Sequence, residues 1–313
     1  MTAGIAAAEV TFSGTANFGY NDTDHTNGAS ASNPFSDMDL NIAFSKELDN
    51  GYTAAASVEL DYADGNQGND ITATDALISL TNADSGIHYG DTKHAAENAW
   101  SSVGSMDNDA FRAADGEMVT RADMTLGGAK VSVSLGDDTN LTTATPPGTE
   151  TDYMSLGITG TAGAFTYALA AQNANTAWLD NDDNSTASQL STTGVRVSTT
   201  WGGATVALGH PTNNNGGSTG VEVSYPMGAL TTTASYVAED ATGAKANWDV
   251  KVVYAEGAMG VTVATDESDD WNVDVSYDMG NGMNLFIGAD DGGKDTYAGL
   301  SYDLGGDASL LAS

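Results

Sequence analysis

Hydrophobic residues recur along this chain with a period of two. Between positions 9 and 20 the even residues are Val10, Phe12, Gly14, Ala16, Phe18 and Tyr20, and the odd ones Thr11, Ser13, Thr15, Asn17 and Gly19. The same alternation returns at Met38/Leu40/Ile42/Phe44, Tyr52/Ala54/Ala56/Val58/Leu60, Val131/Val133/Leu135, Phe165/Tyr167/Leu169, Val195/Val197/Thr199/Trp201 and Val221/Val223/Tyr225. It appears again at Trp248/Val250/Val252/Tyr254 and Trp271/Val273/Val275/Tyr277. Successive side chains of a strand point to opposite sides, so each run predicts a strand with one apolar and one polar face. No apolar-face position in these runs is charged.

A soluble β-sandwich would also show this pattern. Two features argue for a different solution. The segments are joined alternately by short and long connections. Residues 46–51, 81–85, 127–128, 161–163, 202–203, 226–228, 256–258 and 280–282 are short, whereas 21–37, 63–69, 91–117, 136–151, 173–190, 211–218, 239–246, 266–270 and 290–295 are long. Aromatic residues also gather at the ends of the apolar faces. Phe18, Tyr62, Tyr236, Trp248 and Trp271 lie towards the long loops, and Phe44, Tyr52, Phe165, Trp201, Tyr225, Tyr254 and Tyr277 towards the short turns. Tight turns on one side, long loops on the other and two aromatic girdles are the marks of a transmembrane antiparallel β-barrel. In hydrocarbon every backbone N–H and C=O needs a partner, so a sheet spans a bilayer only by closing on itself. Eighteen strands and nine long loops are expected, in one all-β domain over residues 9–304, with a tail at 305–313.

Composition sharpens this reading. The chain has 313 residues, with 9 Lys+Arg against 43 Asp+Glu and a net charge of −34. Such a charge repels phosphate backbones and anionic lipid headgroups, so no nucleic-acid partner is expected. There is no Cys, which removes disulfides, thiolate metal sites and thiol catalysis. The four His (His25, His88, His94, His210) show no zinc-ligand spacing, and no motif surrounds them that would support a barrel enzyme. Glycine-rich nonapeptide repeats, the mark of a calcium-binding β-repeat adhesin, do not occur. The first ten residues read MTAGIAAAEV; Ala6-Ala7-Ala8 fits a signal cleavage site, so residues 1–8 read as a signal-peptide remnant or flexible N-terminus and Glu9 as the mature start.

Four stretches resemble the general porins of α-proteobacterial (Rhodobacter-type) outer membranes: the opening Glu9-Val10-Thr11-Phe12-Ser13-Gly14, His88-Tyr89-Gly90-Asp91 with Ala95 and Ala96, the hairpin Val275–Gly282, and Tyr297-Ala298-Gly299-Leu300-Ser301-Tyr302. Two points depart from that family. Its norm is sixteen strands, and its chains end on an aromatic residue where this one reads GGDASLLAS. The resemblance implies an outer-membrane homotrimer, with the bilayer as partner and small hydrophilic solutes as cargo. It also implies that the third long loop folds into the lumen as a constriction.

That loop, residues 91–117, holds Asp91, Glu97, Asp107, Asp109, Arg112, Asp115 and Glu117, with Trp100 and Phe111 as wall anchors. Strand parity assigns Arg121, Asp123, Lys130, Arg196, Lys251, Glu59 and Asp61 to the lumen wall, where Asp39, Asp75, Glu222, Asp249 and Asp274 add further acid. A basic minority facing an acidic loop sets a transverse field that favours polar solutes, and the acid excess favours cations. The expected function is passive, weakly cation-preferring diffusion; a specific sugar channel, which needs aromatic residues on the lumen side, is the alternative. No cofactor is required. Acidic loops supply oxygen ligands suited to Ca2+, with Asp107 and Asp109 as weaker candidates inside the third loop and acid clusters at 64–70, 180–184, 266–270 and 290–291 outside it.

Overall fold

The computed structural model describes residues 9–21, 33–63, 71–111, 118–137, 153–173, 191–241, 243–291, 295–305 and 308–312. The segment 1–8, read above as a signal-peptide remnant or flexible N-terminus, and the acid clusters at 64–70 and 180–184 lie outside these described residues. In chain order the elements are β1 (Glu9–Asn21), β2 (Asn33–Glu47), β3 (Thr53–Ala63), β4 (Ile71–Thr81), β5 (Ser85–Gly90), α1 (Ala95–Ala99), β6 (Met118–Leu126), β7 (Ala129–Asp137), β8 (Tyr153–Ala162) and β9 (Phe165–Gln172). They continue with β10 (Thr192–Trp201), β11 (Ala204–Asn213), β12 (Gly216–Met227), β13 (Leu230–Glu239), β14 (Asn247–Glu256), β15 (Met259–Asp266), β16 (Trp271–Gly280), β17 (Met283–Asp290), β18 (Thr296–Gly305) and β19 (Ala308–Ala312).

The nineteen strands found among the described residues belong to one sheet. Consecutive strands pair antiparallel from β1 through β7 and again from β9 through β19. Among the described residues no ladder joins β1 to β18 or β19. Contacts group the chain into two compact units. The first comprises residues 1–98, 112–157 and 175–182; the second comprises 99–111, 158–174 and 183–313.

The strands expected from the alternation are β1 to β18, in order. Two details differ. Residues 308–312, read from the sequence as tail, pair with β18 as β19, with Leu300 opposite Ala312 and Tyr302 opposite Leu310. Gly305, with φ of 80°, turns the chain there. The connection expected over 211–218 is mostly strand: β11 runs to Asn213 and β12 starts at Gly216, because Pro211 and the Asn run are accommodated within the ladder ends. At Gly127-Gly128 and Gly202-Gly203 both turn residues have positive φ, the conformation that matches a two-residue turn to strand twist.

The distribution of exposure is inverted relative to a soluble protein. In the first unit Phe12, Phe18, Ile78, Ile87 and Met124 are exposed; in the second Trp201, Leu208, Tyr236 and Ile287 are. These belong to the apolar faces, and sheets of such residues facing outward mark a surface that meets lipid. No helix among the described residues is long and apolar enough to cross a membrane. Among the described residues the buried apolar side chains are few: Ala95, Ala96 and Val119 in the first unit, and Val103, Ala168, Ala170, Ala207 and Val237 in the second.

At the end of β5 the chain must leave the ladder. Gly90 does this with φ of 126°, and the next amide, Asp91 N–H, donates to Ala76 O at 2.8 Å. A Cβ at Gly90 would lie 2.0 Å from that same carbonyl. Gly90→Ala should therefore destabilise the folded protein by at least about 1–3 kcal/mol from backbone conformation alone, read as an earlier loss of the heat-resistant folded band on a gel.

Candidate functional site: the third loop and the face that carries it

Residues 91–111 of the third loop lie on the polar face of the strands they contact. In the first unit its start is held by three wall residues. Arg121, 8% exposed, donates from Nη1 to Lys93 O at 2.8 Å. The N–H groups of Ala95 and Ala96 donate to Ser134 Oγ (2.9 Å) and Ser155 Oγ (3.1 Å), so two side chains from β7 and β8 satisfy the unpaired amides that open α1. The two hydroxyls are 2.8 Å apart, and the wholly buried His94 stands 3.4 Å from Ser134. Lys93 pairs with Glu97 at 3.4 Å.

In the second unit residues 99–111 lie on a seat of small residues. Methyls at Gly209 or Gly220 would come within 2.9 Å and 2.5 Å of Met106 Cε, and one at Gly194 within 2.5 Å of the Trp100 ring. Trp100 and Phe111 pack with ring centroids 5.3 Å apart. Asp109 accepts from Trp100 Nε1 at 3.2 Å and from Ser102 Oγ. Asn247 Nδ2 donates to Ser105 O at 2.9 Å, and Gln172 and Thr192 both donate to Ala110 O. Glu239 receives Asp107 N–H at 3.1 Å, Asn108 Nδ2 at 2.9 Å and Ser218 Oγ at 2.6 Å.

These contacts fix which strand positions share the loop's face. Arg121, Asp123 and Lys130 do so in the first unit, as do Glu59 and Asp61 by register and parity. Arg196 and Lys251 do so in the second. Arg121 forms an ion pair with Asp123, Nε standing 3.2 Å from Oδ1 without hydrogen-bond geometry and donating to Oδ2 at 3.4 Å. His88 stands 3.3 Å from the same carboxylate. Lys130 and Lys251 are exposed, and the buried Nε of Arg196 has no hydrogen-bond partner. Of the charged residues expected in the loop, Asp91, Glu97, Asp107 and Asp109 are placed as described; Arg112, Asp115 and Glu117 lie outside the described residues. Asp107 and Asp109 turn to different partners, Asp107 Oδ1 accepting from Asn247 at 3.4 Å.

The sequence reading missed the seat itself: Ser134, Ser155, Ser218, Glu239 and the glycines carry no periodic signal beyond lying on the polar face. It also missed a crowding of acid. Asp37, Asp39 and Asp61 bring their carboxylates within 4.8 Å of one another, and Asp39 lies directly opposite Asp61 across β2 and β3. Thr15 and Asn17 donate to Asp39 and Asp37, while one buried oxygen of Asp61 has no partner. Two aromatic rings also lie on the polar face. Phe286 covers Gly299 and Tyr297 covers Gly288, where Cβ atoms would fall 2.1 Å and 2.3 Å from the rings, and Tyr297 Oη donates to Asp274 at 2.5 Å.

A family profile described as Gram-negative porin matches residues 1–313. The chain belongs to the Gram-negative porin family. Solved structures share the fold. A variant of the Rh. blastica porin superposes with a TM-score of 0.59 at 17% identity, covering 90% of this chain and 100% of that one. A triple mutant of the Rhodopseudomonas blastica porin gives a TM-score of 0.57 at 16% identity with the same coverage. A search of curated protein sequences gave no match. This porin is an outer-membrane protein, and its family and fold mark a channel rather than an enzyme.

Two outcomes follow for the porin wall. Ser134→Ala and Ser155→Ala each leave a buried amide without its acceptor, so each should lower unfolding stability by about 1–3 kcal/mol, measured by denaturant titration in detergent. Asp61→Asn relieves a like-charge cross-strand pair and should raise the thermal midpoint at low ionic strength, with the gain shrinking as salt screens the repulsion.

Proposed function

We propose that this porin forms a water-filled channel for passive diffusion of ions and small hydrophilic solutes, with a weak preference for cations. The observation that carries this reading is the charge of the face bearing the loop. In the first unit Asp37, Asp39, Glu59, Asp61 and Asp123 stand there against Arg121 and Lys130; in the second Glu222, Glu239, Asp249 and Asp274 stand against Arg196 and Lys251. Arg121 is already spent on Asp123 and on the loop backbone. A conduit lined this way concentrates cations from solution and excludes apolar solutes, which must displace ordered water. The constriction reading of the third loop rests on its seat along the polar face. A homotrimer is part of the proposal, as the family resemblance implies, and Ca2+ enters it as a counter-ion of the acidic loops.

A sugar-preferring channel is the second reading, favoured by Phe286 and Tyr297. Their rings cover Gly299 and Gly288 on the polar face, and Tyr297 donates to Asp274, whose second oxygen accepts from Asn272 at 2.8 Å. Liposome swelling with sugars and amino acids of matched size separates the two: equal rates support general diffusion.

The charge argument is tested by reversal potentials in a KCl gradient across planar bilayers. The wild type should favour K+ over Cl−, and Asp107→Asn combined with Asp109→Asn and Asp115→Asn should reduce that preference. Anion selectivity in the wild type would sink the argument.

A further inference from the structure

We propose that Glu239 is the positioning residue that fixes the distal part of the third loop, residues 99–111, and so holds the channel at one width. The latch itself stands on the geometry below; its consequence for width rests on the channel reading just given.

Beyond the last residue of α1, this segment contains no helix or strand. Its backbone polar groups therefore have no ladder of their own and need partners from elsewhere. Wall side chains supply them. Asn247 donates to Ser105 O, Glu239 accepts Asp107 N–H, and Ser218 Oγ accepts Asn108 N–H at 3.1 Å. Asn213 donates to Asn108 O at 3.3 Å, and Gln172 and Thr192 share Ala110 O. The seat thus draws on six strands, β9 to β14.

Glu239 differs from the other members in two ways. It is the one charged side chain among these wall partners, and hydrogen bonds to a carboxylate are roughly twice as strong as neutral ones. It also gathers three donors, two from the loop and one from Ser218, which itself binds the loop. Asn108 is 5% exposed and Ser218 fully buried, so water does not readily replace a lost partner there. On the other side of the contact, Val103 and Met106 press on Gly209 and Gly220, where even a methyl group would not fit. Glycines set how close the loop comes, and Glu239 keeps it there. The loop then acts as a fixed sill rather than a moving flap.

The plain competing role for Glu239 is a charge on the wall. Glu222 provides the control: it lies on the same face of β12, opposite Ser235 and Ala207, with no hydrogen bond to the loop. The chain has no Cys, so Ser105→Cys, at an exposed position, takes a single nitroxide label. In the folded porin, with folding checked by heat-modifiable migration, Glu239→Ala should convert the immobilised spectrum to a mobile one. The same variant should raise open-channel noise and the solute size cut-off in bilayers. Glu239→Gln keeps one acceptor oxygen and should fall between. Glu222→Gln should shift ion selectivity and leave label mobility and noise unchanged. If Glu239→Ala fails to fold, Glu239→Gln and Ser218→Ala carry the test, each expected to mobilise the label. The latch is overturned if these variants leave the label as immobile as in the parent, or if Glu222→Gln mobilises it equally. A wild type that forms no channel would defeat the channel reading, while the label would still decide the latch.

Discussion

The constraint from which this structure follows is that hydrocarbon offers no hydrogen bonds. Every backbone amide and carbonyl in the membrane must find a partner within the sheet. Continuous antiparallel pairing from β1 to β7 and from β9 to β19 is the response. Once the backbone is paired this way, the side chains are free to sort by face, apolar towards lipid and polar towards water. Burial of apolar groups, which organises a soluble domain, is left with a minor and local task. Among the described residues it is confined to a few small side chains, Ala95, Ala96 and Val119 in one unit and Val103, Ala168, Ala170, Ala207 and Val237 in the other. The small residues there serve close approach rather than bulk.

Charge obeys the same division. A net charge of −34 is tolerable in a protein of this size because the acids stand on water-facing positions and in connections. Where strand register forces two acids together, as at Asp39 and Asp61, neighbouring donors such as Thr15 offset part of the repulsion. The basic side chains divide by role. Arg121 is consumed in structure, paired with Asp123 and bonded to Lys93 O, whereas Lys130 and Lys251 remain exposed on the same type of face. Arginine suits the first role because its planar fork serves a carboxylate and a carbonyl together.

The strands were legible because a sheet with lipid on one side and water on the other writes a period of two directly into the chain. Val10, Phe12 and Phe18 against Thr11, Ser13 and Thr15 need no tertiary knowledge. The third loop was legible as a long connection from its length, and parity alone put Arg121, Lys130, Arg196 and Lys251 at polar-face positions. The seat of the loop was not legible. Glu239 meets Asp107 across 132 positions, and Ser218 meets Asn108 across 110. A serine or glutamate on a polar face looks the same whether it binds water or a loop. The turn between β11 and β12 was misplaced for a local reason: Pro211, Asn213 and Gly216 read as loop residues but sit at strand ends. The strand β19 was hidden because Ala308–Ala312 is short and lacks clear alternation.

The seat of residues 99–111 also bears on the order of events during assembly. It is made of side chains from six different strands, so it does not exist until those strands are in register. Contacts of such long sequence separation form late, after the cost of closing the intervening chain has been met. Residues 99–111 can therefore reach their full set of partners only on a sheet whose strands β9 to β14 are already paired.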